Sequence, residues 1–127
     1  MQKDFDKWNK EKKRIHNTSR KVYAYPREVW WCALGVNVGA ETDGKSDNFE
    51  RPVLVLRVYN KETLLVLPIT SKEKKDVFHI PVSMKVGTVW VKLTQARVIS
   101  HSRLLRKVDV LADKEFQKVR IGFMKYV

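Results

Sequence analysis

The sequence has a single cysteine, Cys32, and no long apolar run. One cysteine excludes an internal disulfide and a zinc site built on several thiolates. Cys32 lies in the apolar run 29–34, where a free cysteine is typical of a small buried hydrophobe. A bilayer span needs about 20 apolar residues, and the charged N-terminus lacks the apolar segment of a secretory signal. We therefore expect a cytoplasmic protein without a membrane partner.

The common catalytic motifs are also missing. The sequence holds no GxxxxGK[ST] phosphate loop, no nucleophile elbow, no dinucleotide fingerprint and no zinc-ligand spacing. The three histidines, His16, His79 and His101, fall in different predicted elements. We therefore expect neither a metal site nor a cofactor.

Acidic residues are few for a chain so rich in basic ones. Lys and Arg number 26 against 14 Asp and Glu, which gives a formal net charge of +12 and a pI near 10.0. Such an excess increases self-repulsion in the folded state and favours a polyanionic partner such as RNA, DNA or an acidic protein. A length of 127 residues with 43% hydrophobic residues fits one folded domain.

The first 22 residues differ from the rest because they carry eight Lys and Arg against three Asp and Glu. Three apolar residues are spaced to share one helix stripe: Phe5, Trp8 and Ile15. This pattern predicts an amphipathic helix over 3–16 that packs on the main body, with a linker at 17–19. The sequence thus divides into an N-terminal helix and linker, 1–22, and a main domain, 23–127. A solvated tail is the alternative for the first segment.

From residue 27 onward the pattern is typical of strands. An apolar run at 52–59, turn residues at 60–62 and a second run at 63–69 predict a β-hairpin. Further short strands are predicted at 29–34, 77–81, 89–91 and 96–100. These strands follow one another without intervening helices, which favours a mainly β (α+β) fold with an antiparallel barrel or curled sheet.

The chain is predicted to close with a helix. Apolar residues recur at helical spacing, and Asp113 and Glu115 lie in the predicted first turn, where carboxylates suit the helix dipole. The apolar residues of this stripe are Phe116, Val119, Phe123 and Val127.

A candidate site lies at the open end of the predicted hairpin. Pairing about residue 61 sets position 52 opposite position 70, so Arg51 would lie close to Thr70 and Ser71. A guanidinium can meet two phosphate oxygens at once, and RNA brings its own nucleophile, the 2′-hydroxyl. These groups suit phosphodiester cleavage without a metal ion. The alternative is a surface salt bridge for Arg51 and an ordinary strand role for Thr70.

Five segments in order resemble the PemK/MazF toxins over residues 26–125. They are Arg-Glu-Val-Trp-Trp-Cys-Ala-Leu-Gly at 27–35, Val-Gly-Ala-Glu at 38–41, Arg-Pro-Val-Leu-Val-Leu at 51–56, Leu-Pro-Ile-Thr-Ser-Lys at 67–72, and Leu-Thr-Gln-Ala-Arg-Val at 93–98 with Ser-Arg-Leu at 102–104. The resemblance implies an SH3-like barrel with a C-terminal helix, to which the N-terminal basic helix is additional. It also implies a homodimeric, metal-independent endoribonuclease that cuts single-stranded RNA at short sequences. The expected ends are a 2′,3′-cyclic phosphate and a 5′-hydroxyl, and the expected inhibitor is a cognate acidic antitoxin.

The resemblance also assigns roles to residues. It makes Arg51 the charge stabiliser and candidate proton donor, Thr70 the phosphate anchor and Glu41 the candidate acceptor of the 2′-hydroxyl proton. The loop 42–50 is longer than usual in the family, so the general base is either Glu41 or another group. The residues expected to bind RNA are Ser71, Lys72, Lys74, Lys75, Gln95, Arg97 and Arg103.

Two other functions fit the same fold. One is a non-enzymatic poison of a protein target, as in the related CcdB toxin that acts on DNA gyrase. The other is a nucleic-acid-binding barrel without activity, in which aromatic side chains stack on bases. The aromatic residues available for this are Tyr23, Tyr25, Trp30, Trp31 and Trp90.

Overall fold

The computed structural model describes residues 3–17, 22–44 and 49–127. Most of the predicted linker at 17–19 and residues 45–48 of the 42–50 loop therefore lie outside the described residues. The helices are α1 (Phe5–Asn17) and α2 (Asp113–Tyr126), with 3-10 turns at Leu93–Gln95 and His101–Arg103. The strands are β1 (Glu28–Ala33), β2 (Glu50–Val58), β3 (Thr63–Thr70), β4 (His79–Met84), β5 (Gly87–Lys92), β6 (Arg97–Ser100) and β7 (Leu104–Val110).

Helix α1 forms as predicted and packs on the sheet. The Asp4 carboxylate accepts the Lys7 backbone N–H at 2.9 Å, which is the arrangement of an N-cap. Trp8 and Ile15 are buried in a small cluster with Ala33 and Phe49. Phe5 is 49% exposed, so the prediction of a three-residue buried stripe is wrong at its first member. Phe5 lies in the first turn and is not part of this cluster.

The described strands form one antiparallel sheet, in agreement with the mainly β prediction. Its order is β4-β5-β3-β2-β1-β7, and β6 pairs with the first half of β3. One edge of β3 therefore serves two partners, β6 at residues 63–66 and β5 at residues 69–70. The backbone N–H of Lys85, in the β4–β5 turn, donates to Asp109 of β7 at 2.8 Å. This bond joins the two ends of the strand order, so the sheet curls on itself.

The sequence pattern does not predict strand β7. Its residues 106 and 107 are both charged and exposed, which interrupts the alternation expected of a half-buried strand. Two register shifts in its pairing with β1 accommodate this interruption. The predicted strands at 77–81 and 89–91 are real but displaced or short, since β4 and β5 span 79–84 and 87–92.

The β2–β3 hairpin contains a bulge that corrects the predicted register. The pairs on its two sides are Arg57 with Leu65 and Val53 with Pro68. The first pair is the one that pairing about residue 61 predicts. In the second pair, Val53 lies opposite Pro68 and not opposite residue 69, which is a shift of one residue. Continued along the strands, the shifted register sets Arg51, not Pro52, opposite Thr70. Opposed residues of antiparallel strands project from the same face, so the bulge directs Arg51 and Thr70 to one side.

Both faces of this hairpin are buried. Leu54 and Leu67 join the larger apolar cluster, which packs against Phe116 and Val119 of α2. Val53, Val55, Leu64 and Val66 point into a second cluster on the opposite face. The α2 stripe is confirmed for Phe116 and Val119, Phe123 is half-buried, and Val127 is 65% exposed because the helix ends at Tyr126. The hairpin is thus a rigid support for the residues at its open end.

Neither described helix combines the length and hydropathy that a bilayer span requires.

Candidate active site

Arg51 is buried, and two backbone carbonyls fix its guanidinium. Its Nε donates to the Asp43 carbonyl at 2.7 Å, and its Nη1 donates to the Ile69 carbonyl at 3.2 Å. A guanidinium has five N–H groups, so three are not used in these bonds with described residues. Burial lowers the pKa of Arg51, and the nearby Asp43 carboxylate opposes that shift. The result is a fixed, partly desolvated cation.

Thr70 presents its hydroxyl at the same end of the hairpin. The residue is 6% exposed and pairs with Trp90 of β5. Its Oγ1 accepts the backbone N–H of Lys72 at 3.2 Å. This bond uses an oxygen lone pair and orients the hydroxyl, whose own O–H can still donate.

Arg51, Thr70 and Ser71 line one depression of about 360 Å³. The sequence-predicted cluster is therefore brought together. Apolar side chains form most of the walls, namely Trp31, Pro52, Ile69, Met84, Val86, Val89 and Val108. Such walls lower the local dielectric and strengthen hydrogen bonds to a bound anion. The segment after Ser71 is exposed and carries Lys72, Lys74 and Lys75.

Glu41, Gln95 and Arg97 line a different depression, of about 530 Å³, with Asn37, Thr42, Thr94 and Ala96. Gln95 accepts the Thr42 backbone N–H at 3.2 Å. Glu41 is exposed, and its carboxylate accepts the Val38 backbone N–H at 2.9 Å. The structure does not bring Glu41 into the depression of Arg51.

Arg103 lies apart from both depressions, beneath α1. Its Nη1 donates to the Ala33 carbonyl at 3.1 Å, and its guanidinium carbon lies 5.7 Å from the Trp8 ring centroid. Burial and the neighbouring Arg97 both lower the pKa of Arg103. These contacts join α1 to the sheet.

Two residues at the site were missed by sequence reasoning. Glu50, the residue before Arg51, lines the Arg51 depression and pairs with Arg106 at 2.8 Å. Arg106 in turn stacks over Trp31, with 5.1 Å from its guanidinium carbon to the ring centroid. The position of Glu50 beside Arg51 was a usable signal. Asp43 accepts the hydrogen bond of Arg51 with its backbone carbonyl, which every residue type has, so the sequence gives no signal for this bond.

Within 3–17, 22–44 and 49–127, no group of three His, Cys, Asp or Glu side chains is placed to hold a metal ion.

Several solved structures have a similar fold. Among solved structures, MazF from Deinococcus radiodurans has a TM-score of 0.70 at 21% identity, over 82% of this chain and 96% of that one. An endoribonuclease in complex with its cognate antitoxin from a mycobacterial species has a TM-score of 0.64 at 10% identity, over 80% and 92%. The Mycobacterium tuberculosis toxin MazF-mt6 has a TM-score of 0.60 at 17% identity, over 78% and 94%. At these identities the likeness concerns the fold.

No curated protein sequence is significantly similar to this chain. A family profile, described as the PemK-like, MazF-like toxin of type II toxin–antitoxin systems, matches residues 25–127. This range contains the whole sheet, α2 and the Arg51 depression. The chain therefore belongs to the PemK-like, MazF-like family of type II toxins.

Proposed function

We propose that this toxin is an endoribonuclease that cleaves single-stranded RNA at short sequences without a metal ion. The observation that carries the proposal is the buried Arg51 guanidinium, fixed by two carbonyls beside the Thr70 and Ser71 hydroxyls. Hydrogen-bond donors that are fixed before the reaction stabilise developing charge with little reorganisation. The anionic phosphodiester of an RNA chain is a substrate that such donors fit.

In the proposed reaction the RNA 2′-oxygen attacks the adjacent phosphorus as it loses its proton to a base. The new 2′-O–P bond forms while the bond from phosphorus to the 5′-oxygen breaks. The leaving oxygen takes a proton from Arg51 or from water, so the products are a 2′,3′-cyclic phosphate and a 5′-hydroxyl. Arg51 donates to the non-bridging oxygens, and Thr70 anchors the phosphate through its hydroxyl.

The proton acceptor is a carboxylate in this proposal. Glu41 is the candidate from the family resemblance, but it lines the other depression. Glu50 lines the depression of Arg51 and lies next to it in β2. Successive side chains of a strand project to opposite faces, so the Glu50 side chain projects from the other face than Arg51. Glu41 and Glu50 are therefore both candidates for the acceptor.

The substrate would be held by a positive surface. The net charge of +12 favours RNA at long range. The exposed lysines at 72, 74 and 75 continue from the Arg51 depression and would contact flanking phosphates. Gln95 and Arg97 offer an amide and a guanidinium in the polar depression, which suit the edges of an unpaired base. Arg103 would contribute positive potential from beneath α1.

We also propose a homodimer and a cognate antitoxin as partners. One structural neighbour is an endoribonuclease in complex with its antitoxin. An acidic, partly disordered antitoxin segment would compete with RNA for the positive surface of this chain.

The test is cleavage of a long single-stranded RNA by the purified toxin in EDTA. We expect cutting at a few sequences, with ends that a polynucleotide kinase labels without prior phosphatase treatment. Arg51→Ala should lower the rate by about 100- to 1,000-fold, the usual effect of removing a fixed donor. The matched control is Arg57→Ala, because Arg57 is an exposed arginine on the same strand.

Three results would overturn the proposal or its site. Growth arrest with intact cellular RNA would favour a poison of a protein target. Salt-sensitive RNA binding without turnover would indicate an inactive binding barrel. Full activity of Arg51→Ala would remove the proposed site.

A further inference from the structure

The N-terminal residues contact the loop that holds Arg51. The ammonium group of Lys3 has three N–H donors. Three acceptor groups within residues 34–44 of this loop lie around it. They are the Asn37 carbonyl, the Gly39 carbonyl at 3.0 Å and the Asp43 carboxylate at 3.0 Å. The side chains of Lys3 and Asp43 are 18% and 24% exposed. This pair is thus shielded from water more than an ordinary surface salt bridge, which contributes little.

Asp43 joins this contact to the candidate active site. Its carboxylate accepts the Asn37 backbone N–H at 2.6 Å in addition to pairing with Lys3. Its own carbonyl accepts the Nε of Arg51 at 2.7 Å. A displacement of Asp43 therefore moves the acceptor that orients the guanidinium.

Helix α1 is fixed to the base of the same loop, so Lys3 extends from a rigid support. Trp8 is 4% exposed and packs against Phe49, with 5.3 Å between ring centroids. The Phe49 carbonyl accepts the backbone N–H groups of Leu34 and Gly35, each at 3.0 Å. Trp8 holds the base of the loop, and Lys3 holds the portion from 37 to 43.

We propose that Lys3 and Asp43 are positioning residues, through which α1 holds Arg51 in the orientation that meets the scissile phosphate. The proposal rests on the ribonuclease activity proposed above. Lys3 lies outside residues 25–127, which match the family. Helix α1 would therefore tune the active site of this chain from outside the family domain.

The test compares four single variants and the double variant Lys3→Met/Asp43→Asn. Lys3→Met removes the ammonium, and Asp43→Asn removes the carboxylate charge while keeping the backbone carbonyl that Arg51 contacts. Lys3→Arg keeps the positive charge and should restore function. Lys10→Met is the matched control, because Lys10 is exposed on α1 and its loss changes the net charge equally.

Two measurements are made on each variant. The first is single-turnover cleavage of RNA, with rate and apparent affinity separated. The second is hydrogen exchange of the Arg51 Nε–H, followed by NMR without RNA and assigned by its loss in Arg51→Lys. The second measurement reports the contact even if the protein cuts no RNA, so a failure of the proposed function is distinguished from a failure of this inference.

We expect Lys3→Met and Asp43→Asn each to lower the cleavage rate by about 10- to 100-fold with little change in affinity, because small misplacements of catalytic groups are costly. The Arg51 Nε–H should exchange about tenfold faster in both, and the double variant should be no worse than either single one. Lys3→Arg should recover most of the rate, and Lys10→Met should stay within about twofold. An Arg51 Nε–H that exchanges at the wild-type rate in Lys3→Met would overturn the inference. So would purely additive effects of the two substitutions.

Discussion

Gly35 lies directly beneath the indole of Trp8. A Cβ added at Gly35 would come 1.8 Å from Trp8 Cε2, and the residue has a φ of +76°. Backbone conformation and close contact both require glycine here, because L-residues are strained in the left-handed region. The contact is where α1 meets the base of the loop that contacts Arg51.

We predict that Gly35→Ala lowers the free energy of unfolding by about 3 kcal/mol, the sum of left-handed strain and overpacking. Gly39→Ala is the matched control, since Gly39 has a φ of +56° but nothing within 4 Å of the added Cβ. It should cost about 1 kcal/mol, from strain alone. Urea unfolding measures both.

A double-mutant cycle with Trp8→Ala tests the contact between Gly35 and Trp8 directly. In a Trp8→Ala background the steric part of the Gly35→Ala cost should disappear, which leaves a strong coupling between the two sites. Equal costs of Gly35→Ala with and without Trp8 would contradict the contact.

The proton acceptor can be assigned by two isosteric substitutions. Replacing the acceptor, Glu41 or Glu50, by glutamine should lower the cleavage rate by about 100-fold or more, the usual contribution of a general base. Replacing the other carboxylate should lower the rate by less than about tenfold, because that group does not take the proton. Single-turnover rates measure both effects.

Glu50→Gln also disturbs the pair with Arg106, so Arg106→Gln is the control. That variant breaks the pair but keeps the Glu50 carboxylate. A loss in Arg106→Gln as large as in Glu50→Gln would assign Glu50 a structural role. A larger loss in Glu41→Gln would make Glu41 the acceptor.

Much of the site follows from local sequence. The two apolar runs flanking Asn60, Lys61 and Glu62 predict the hairpin, and a hairpin sets Arg51 near Thr70. The bulge between Val55 and Arg57 does not follow, because it depends on how both strands pack in opposite clusters. It decides which face Arg51 occupies.

Other features depend on contacts distant in sequence. Strand β7 carries adjacent exposed charges and pairs with β1 only through register shifts. The separation of Glu41 from Arg51 arises in an irregular loop, where side-chain pattern carries no periodic signal. The hydrogen bond from Arg51 to Asp43 uses a backbone carbonyl, so the residue type at position 43 does not predict it. Contacts of these kinds are visible only in the folded structure and are not predicted by the local sequence.

Cys32 should be inert in the native protein. Burial raises the pKa of its thiol to about 12, against the opposing effect of Arg103 and Arg97. At pH 8 the thiolate fraction should therefore be about 1,000-fold lower than in the unfolded chain. A disulfide reagent should label native protein only as it unfolds, and fast labelling at pH 8 would contradict this environment.

The same shift has a consequence for stability. The pKa of Cys32 is raised in the folded state from an ordinary value of 9.0. As pH rises, the thiol of the unfolded chain therefore loses its proton before the thiol of the folded chain does. The contribution of this group to the free energy of unfolding is full below pH 9 and is lost as pH rises toward 12. At pH 10.5 the loss should be about 2 kcal/mol. The measurement is the free energy of unfolding as a function of pH, in the wild type and in Cys32→Ala. The difference between the two curves is the effect of the Cys32 thiol, because Lys and Tyr titrate in both proteins.

The exposed lysines after Ser71 should set the salt dependence of RNA binding. Each phosphate contact to single-stranded RNA contributes about 0.7 to the slope of log affinity against log salt. Replacing the three lysines at 72, 74 and 75 by glutamine should therefore reduce the slope by up to about 2. Binding is measured with a 2′-O-methylated RNA, which lacks the attacking hydroxyl and is not cut.

The control replaces Lys10, Lys61 and Lys114, which are exposed and do not line the Arg51 depression. This triple variant has the same net charge as the first one. If net charge alone attracts RNA, the two variants lose affinity equally, and the slope of log affinity against log salt is the same in both. If RNA phosphates lie along the segment after Ser71, only the first variant shows the reduced slope. Equal slopes in the two variants would remove this segment from the proposed RNA-binding surface.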